Sequence, residues 1–475
     1  MYACLYCPST RLPCQLIPVN MRTGLGGSIQ RRPKMRAAFH TLGCKTNHYE
    51  TDAIALRFVE AGFERVEFDD PADVYVINTC TVTGEADRKS RQMLRRAKRQ
   101  APDAVVVAMG CHAELSDARN YADIVIGTHG KARALELVLD YLGLSCASQV
   151  EQAEDQADAL NAIAQEDIFE ELGIVDQQSE CRAHIKIEDG CNSFCSYCAI
   201  PLARGRIRSR EERAILAEAQ ALAAAGYREI VLTGIHVCSY GLDRGEGSHA
   251  VVALAAKLAQ ISGIERIRLG SLEPLSITPS FIELAWDNPK LCPHFHLSLQ
   301  SGSDTVLKRM NRRYTTSQFR SVAQALRKAF PDASLTTDVI VGFPGETDEE
   351  FAETLQFCRE IGFARMHVFR YSPRQGTRAA SMSGQVPAPV SAGRSHALQD
   401  LAEQMAAAFH LSQVGQPQSV LVETLTAHGI AEGYTAAYVP VRIEPATGLN
   451  PGQIVTAQPV RADGQFLYCT DANPA

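Results

Sequence analysis

Between Arg36 and about Leu142 the chain alternates short apolar runs with stretches of helical period. Ala37–Thr41, Asp73–Asn78, Val105–Met109 and Ile124–Ile126 read as strands buried on both faces, because their apolar positions are nearly continuous. Asp52–Ala61, Ala86–Gln100 and Lys131–Tyr141 read as helices. This alternation predicts a parallel sheet with crossover helices. A second alternating series offers strands at Ala183–Ile187, Glu229–Thr233, Arg266–Gly270, His294–Gln300, Leu335–Val341 and Arg365–Arg370. Helices such as Ile215–Ala225, Val251–Ile261 and Thr316–Ala329 lie between them. About six strand–helix units predict a partial (β/α) barrel, not a closed eightfold one. The last stretch changes character: Ser419–Thr424, Ala437–Ile443 and Gln453–Val460 are short strands separated by Gly and Pro, the pattern of a small β-barrel.

The fold class is therefore α/β, with five expected regions. Residues 1–34 show no period and precede Met35, which stands directly before the first strand; this leader is expected to be disordered or not native. Residues 35–145 form the first α/β domain. Residues 146–180 are an acidic linker, with no Lys or Arg between Glu151 and Glu171. Residues 181–411 form the partial barrel and 412–475 the β-barrel.

The length of 475 residues suits two to four domains, and a hydrophobic fraction of 45% supports real cores. A formal charge of −7 excludes a chain that coats nucleic acid by bulk attraction, so any RNA contact must come from local patches. No apolar run approaches the ~18–20 residues that span a bilayer. Cys4, Cys7 and Pro13 interrupt any signal-peptide core. The expected location is cytoplasmic, without a membrane partner.

Fifteen cysteines in a reducing compartment point to metal or cluster ligation, not to disulfides. Cys146, Cys181, Cys238, Cys292, Cys358 and Cys469 have no partner spacing and read as core thiols. Cys4, Cys7 and Cys14 lack a fourth ligand nearby. Cys191, Cys195 and Cys198 differ: they form a C-x3-C-x2-C run just after the first barrel strand. Three thiolates in one loop can hold three irons of a 4Fe-4S cluster and leave the fourth iron open. An open iron can take an external amine and carboxylate, which S-adenosylmethionine offers. A structural zinc site needs four ligands, and no further Cys or His follows closely enough.

The spacing, with Tyr197 before the third cysteine, resembles the radical S-adenosylmethionine superfamily. That resemblance implies cofactor contacts at successive strand ends. They are Tyr197 itself, Gly234 in Leu232-Thr233-Gly234, Glu273 after the third strand, and Ser298 and Gln300 closing the fourth. Asp338 and the run Gly342-Phe343-Pro344-Gly345-Glu346 follow on the fifth.

Cys44, Cys80 and Cys111 are far apart, yet each lies near the carboxyl end of an expected parallel strand, where open α/β sheets collect ligands. They are either a second cluster site or ordinary buried cysteines. Thr41-Leu42-Gly43-Cys44-Lys45-Thr46-Asn47, Asn78-Thr79-Cys80-Thr81-Val82-Thr83 and Met109-Gly110-Cys111 resemble the amino-terminal domain of methylthiotransferases. The last domain looks like that family's TRAM module. The resemblance implies two 4Fe-4S clusters. One, on Cys191, Cys195 and Cys198, cleaves S-adenosylmethionine; the other, on Cys44, Cys80 and Cys111, carries the sulfur that is delivered. It also implies a tRNA substrate and a reductant such as a flavodoxin or ferredoxin. Lys45, Tyr49-Glu50-Thr51 and the run Ala203–Arg210 look like the branch that modifies threonylcarbamoyl-adenosine. The other branches act on isopentenyl-adenosine or on a ribosomal-protein aspartate. A non-catalytic iron–sulfur protein is the reading from another class, for which the strand-end motifs would be superfluous. Beyond the cluster ligands, no catalytic residue is singled out.

Three basic runs are candidate RNA contacts. Arg88, Arg91, Arg95 and Arg99 recur at helical spacing beside Lys89, Arg96 and Lys98, which makes either a phosphate-binding stripe or a solvated helix face. Lys308, Arg309, Arg312 and Arg313 form a second patch, and Arg204 to Arg210 a third beside the cysteine loop. The terminal barrel has only Arg442 and Arg461 against five acidic residues, a poor basis for electrostatic RNA binding.

Overall fold

The computed structural model describes residues 34–116, 118–144, 168–175 and 180–474. The leader, Cys4, Cys7, Cys14, Cys146 and most of the acidic linker lie outside the described residues. The chain divides into two compact units, Met1–Gly173 and Ile174–Ala475.

The first unit is a five-stranded sheet of β1 (Arg36–Thr41), β2 (Glu64–Val66), β3 (Val74–Thr79), β4 (Val105–Gly110) and β5 (Ile124–Ile126), ordered β2-β1-β3-β4-β5. Every pairing is parallel, as expected. β3 and β4 are buried at all positions, which explains their unbroken apolar runs. Helices α1 (Lys45–Glu60), α2 (Gly84–Gln100), α3 (Cys111–Leu115) and α4 (Ala134–Tyr141) complete the unit. Ile54, Phe58, Val76, Val107 and Val138 make one core; Tyr75, Ile77, Leu94 and Val106 make another.

α1 starts at Lys45, a full two turns before the expected Asp52. Its first half is polar but buried: Thr46, Asn47, Glu50 and Thr51 face the protein interior, the last three engaged in hydrogen bonds. Hydrophobic period cannot register a helix face that packs through polar groups. β2 escaped notice because it is a three-residue edge strand with exposed Glu64 and Arg65.

In the second unit β6 (Ala183–Lys186), β9 (Glu229–Thr233) and β10 (Arg266–Leu269) pair in the order β10-β9-β6; the antiparallel pair β7 (Glu188–Asp189) and β8 (Arg208–Ser209) lies between them in sequence. Next come β11 (Ser271–Leu272), β12 (His294–Leu297), β13 (Ser334–Val341) and β14 (Arg365–Arg370), ordered β11-β12-β13-β14. Only Gly270 separates β10 from β11, and its N–H donates to Leu232 O, so six parallel strand positions run in one arc. The six-unit partial barrel is thus observed. Eight helices accompany it: α5 (Ile200–Arg204), α6 (Glu212–Ala224), α7 (Ala250–Leu258), α8 (Pro279–Trp286), α9 (Asp304–Arg309), α10 (Thr316–Ala329), α11 (Asp348–Ile361) and α12 (Ala388–Ser412). Capping boxes at Thr315/Gln318 and Thr347/Glu350 start α10 and α11.

The terminal strands β15 (Gln418–Leu425), β16 (Ala431–Thr435), β17 (Pro440–Ile443), β18 (Ile454–Ala462) and β19 (Leu467–Pro474) close a barrel in the order β15-β16-β17-β19-β18. The expected strand from Ala437 begins only at Pro440. Residues before it turn, with Tyr438 at φ +65°. The Tyr438 ring stacks on Tyr434 at 4.8 Å and meets His294 of β12 at 5.0 Å. Arg182 and Arg268 lie over the same ring, and Arg268 also donates to Glu229 and to Ala436 O. The β-barrel is therefore fastened to the strand arc by buried charges. Removing one partner of such a pair costs about 3–5 kcal/mol. No helix among the described residues is long and apolar enough to cross a membrane.

Candidate metal centres and active site

Cys44, Cys80 and Cys111 fall at the carboxyl ends of three adjacent parallel strands, β1, β3 and β4. Thr41 pairs with Asn78, and Thr79 with Gly110, so the strand ends are level. Cys44 caps α1. Ser90 of α2 clamps Cys80, accepting from its N–H at 3.2 Å and donating to its carbonyl at 3.1 Å. Thr79 Oγ1 accepts from Ala113 N–H at 3.1 Å and donates to Met109 O at 2.7 Å, fixing the turn that carries Cys111. Gly43 sits at φ +102°, and a Cβ there would fall 2.6 Å from Cys80 Sγ. The glycine before Cys44 is thus demanded both by backbone and by the neighbouring thiol.

Beneath this triad lies a polar floor. Asn47 Nδ2 donates to Leu42 O and Thr79 O, and Asn78 Nδ2 donates to Asn47 O. Lys131 and Glu50 form an ion pair in which each side chain is 1% exposed. Asn78 Oδ1 and Thr46 Oγ1 are buried without a hydrogen-bond partner. Unmatched buried acceptors beside three thiols leave room for chemistry the chain itself does not supply.

The second triad occupies one loop. Gly190 at φ +79° turns the chain from β7 into Cys191, and a Cβ there would meet Arg206 O at 1.8 Å. Cys191 N–H donates to Gly205 O (3.1 Å), and Cys198 N–H to Cys195 O (3.0 Å). The turn after α9 splints this loop from far along the chain. Ser196 N–H donates to Met310 O (3.0 Å), Ser196 Oγ to Arg309 O (2.8 Å), and Asn311 Nδ2 to Phe194 O (2.9 Å). Phe194 itself adopts φ +48°, under the Arg206 guanidinium at 4.4 Å. Arg312 completes the splint: its guanidinium donates to Cys195 Sγ at 3.2 Å and to Glu273 at 2.6 Å.

Burial pushes the Cys198 thiol up to about 12, with Cys195 adding to it. Burial also raises Cys191, partly offset by the Ser193 N–H. Such thiols are neutral until a metal takes them as thiolates. Among the described residues, no three His, Cys, Asp or Glu side chains close around one point suited to a single metal ion. A four-iron cluster instead spreads three cysteines over three irons. Each triad fits that group in donor type and number.

Residues 185–358 match the radical SAM superfamily, and residues 36–127 match a family described as uncharacterized protein family UPF0004. The protein named threonylcarbamoyladenosine tRNA methylthiotransferase MtaB from Bacillus subtilis is 42% identical over 90% of this chain and 96% of its own. Its namesake from Aquifex aeolicus is 37% identical over 82% and 93%. The chain belongs to the methylthiotransferase family of radical S-adenosylmethionine enzymes. A tRNA-2-methylthio-N(6)-dimethylallyladenosine synthase from Acidothermus cellulolyticus is also 37% identical, over 89% and 85%. The radical S-adenosylmethionine methyltransferase TsrM from Kitasatospora setae shares the fold, with a TM-score of 0.51 and 15% identity over 71% of this chain and 73% of that one. Membership sets aside the non-catalytic reading and brings with it a 4Fe-4S cluster and S-adenosylmethionine.

In this methylthiotransferase, Glu273 reaches the cysteine loop through Arg312, and His236 Nε2 lies 3.6 Å from the same carboxylate. Gly234 directly follows β9, and a Cβ there would collide with the Glu188 carboxylate. Gln300 adopts φ +67° and is locked to β13, its N–H donating to Asp338 O and its carbonyl accepting from Ile340 N–H. The Tyr197 ring packs against Val306, Met310, Phe343 and Ala379, a small satellite core.

Sequence reading missed Glu188, which is fully buried three residues before Cys191. Its Oε1 accepts from His236 N–H while Oε2 has no partner. Burial raises this carboxyl to about 8. Arg312 was read only as part of a surface patch. The structure corrects this: Arg312 is buried against the cysteine loop, and Arg309 is paired with Glu350. The patch from Arg204 to Arg210 also dissolves, since Arg204 pairs with Asp189 and Arg210 with Glu218 inside the protein. Arg206 alone of its arginines is exposed. A carboxylate partner tens of residues away leaves no local sequence signal. The remaining described cysteines are core thiols: Cys238, Cys292, Cys358 and Cys469 are buried, and Cys181 is half-buried, donating to Glu423 O.

Proposed function

We propose that this cytoplasmic methylthiotransferase adds a methylthio group to carbon 2 of N6-threonylcarbamoyladenosine next to the anticodon of a tRNA. Its cofactors in this reading are two 4Fe-4S clusters and S-adenosylmethionine, with a flavodoxin or ferredoxin as reductant. Cys191, Cys195 and Cys198 would hold one cluster; Cys44, Cys80 and Cys111 would hold the other. When bound, these groups would supply an electron for reductive cleavage of S-adenosylmethionine to a deoxyadenosyl radical, and a sulfur to be methylated and delivered.

The chain's own contribution is placement. Arg312 holds Cys195 Sγ and Glu273 in one hydrogen-bonded unit. Tyr197, Gly234, Glu273 and Gln300 are assigned to the cofactor. Gly234 and Gln300 lie at strand ends, where barrel enzymes bind substrates. The level strand ends of β1, β3 and β4, each followed by a cysteine, are the observation that carries the second cluster. The substrate assignment is supported by the relatives named for threonylcarbamoyladenosine, at up to 42% identity over 90% of the chain, and by Lys45 and Tyr49-Glu50-Thr51.

Anaerobically reconstituted protein, given S-adenosylmethionine, dithionite and tRNA bearing threonylcarbamoyladenosine, should yield deoxyadenosine and a methylthio nucleoside by mass spectrometry. Product only from isopentenyl-adenosine tRNA, or from a ribosomal-protein aspartate, would transfer the enzyme to another branch.

A further inference from the structure

α2 carries five arginines, Arg88, Arg91, Arg95, Arg96 and Arg99, and it borders a concave surface cavity of about 720 Å³. Arg88, Arg91, Arg95, Lys98, Arg99 and Tyr121 line it, with no aliphatic side chain and no carboxylate among the lining residues. Arg88 and Lys98 are partly neutralised, by Glu85 and Asp123. Arg95 donates to Tyr121 Oη at 3.0 Å and lies over that ring at 4.7 Å. Arg91 and Arg99 form no ion pair with any described residue, so at least two full positive charges face the cavity. Between Arg88 and Arg99 the helix advances ~16 Å, at ~1.5 Å per residue.

We propose that this groove binds the sugar–phosphate backbone of the RNA substrate, and that it, not the terminal β-barrel, carries most of the electrostatic attraction for it. The inference rests on the tRNA reading above. Guanidinium forks in a row match phosphate oxygens, and Tyr121 offers an aromatic face to a base. A protein partner would favour an apolar centre with a polar rim, which this lining lacks. The β-barrel makes a poor alternative. Arg442 is paired with Glu432 and stacked on Phe466, and Arg461 is stacked on Tyr468 beside Asp463.

The test uses full-length, cluster-loaded protein and fluorescently labelled tRNA bearing threonylcarbamoyladenosine, with anisotropy recorded across a salt series. Replacing two phosphate contacts in Arg91→Gln/Arg99→Gln should flatten the slope of log K against log salt by about 1.4–1.8 and weaken low-salt binding about tenfold or more. Arg91→Lys/Arg99→Lys should keep most of the slope, and Arg442→Gln/Arg461→Gln should leave it nearly unchanged. Unchanged slope and affinity in the glutamine variant would overturn the proposal. So would tRNA binding that stays intact while that variant loses affinity for an acidic flavodoxin, which would give the groove to a protein partner. If the glutamine variant misfolds, wild-type footprinting decides: bound tRNA should shield Lys89 and Lys98 from acetylation, and equal labelling with and without tRNA sinks the idea. Failure of the tRNA reading looks different. The wild type would then make no methylthio product on this tRNA, whatever the groove binds.

Discussion

The two cysteine triads are built by opposite means. Cys191, Cys195 and Cys198 sit in one loop, and their closeness along the chain keeps them near one another without a long-range contact. Cys44 and Cys111 are 67 positions apart (111 − 44), and they meet only once β1, β3 and β4 have paired in parallel. Parallel pairing has a high loop-closure cost and forms slowly. The loop triad therefore needs the fold chiefly for stiffness, supplied by the turn from Arg309 to Arg312. The dispersed triad needs the fold for its existence. A polar floor of Asn47, Asn78, Glu50 and Lys131 stands under the dispersed triad, whereas the loop triad has a cation, Arg312, directly on a thiol.

The largest expected effect separates the triads by role. Alanine at Cys191, Cys195 and Cys198 should abolish deoxyadenosine formation and remove about half of roughly eight irons, four per cluster. Alanine at Cys44, Cys80 and Cys111 should also remove about half, yet leave S-adenosylmethionine cleavage measurable while methylthio product disappears. Iron assay and product chromatography on both variants read this directly. Methylthio product from the second variant would break the comparison, because the dispersed triad would then be dispensable.

A smaller effect is expected from the splint. Arg312→Gln removes a positive charge that donates to Cys195 Sγ, and hydrogen bonds to cluster sulfurs favour the reduced, more negative state. The midpoint potential of the loop cluster should fall by on the order of 60 mV, a tenfold change for one electron. Redox titration followed by electron paramagnetic resonance, in a background lacking Cys44, Cys80 and Cys111, measures it. An unmoved potential would leave Arg312 with no more than a packing role.

The same contrast explains what the sequence made legible. The loop triad could be read from spacing alone, because its geometry is local. The dispersed triad needed the strand pattern to show that three thiols share one sheet edge, and then a family resemblance to choose a cluster over core cysteines. β3 and β4 were readable because burial on both faces leaves continuous Val and Ile. The first turns of α1 were not, since Asn47, Glu50 and Thr51 are buried through hydrogen bonds that hydropathy reads as exposure. Arginine runs misled for a related reason. Arg204, Arg210 and Arg312 find carboxylates inside the fold, and only α2 keeps its stripe in solvent. Charge in sequence marks a surface only when no distant partner claims it.

The smallest effect concerns protons, and it should come from Glu188 on the loop triad's side. Glu188, three residues before Cys191, is buried, and burial raises its carboxyl from about 4.5 to about 8. At the dispersed triad the corresponding strand ends carry neutral Thr41, Asn78 and Thr79. A carboxyl raised in the folded state stays protonated where the unfolded chain has released its proton. The native state then binds more protons between pH about 4.5 and 8, so stability falls as pH rises through that window and levels off above it. Glu188→Gln keeps an acceptor for His236 N–H but cannot ionise. The variant's apparent melting temperature should match the wild type near pH 5 and exceed it by a growing margin towards pH 8, read on anaerobic, cluster-loaded protein. A margin that does not change with pH would mean that Glu188 ionises as it does in water.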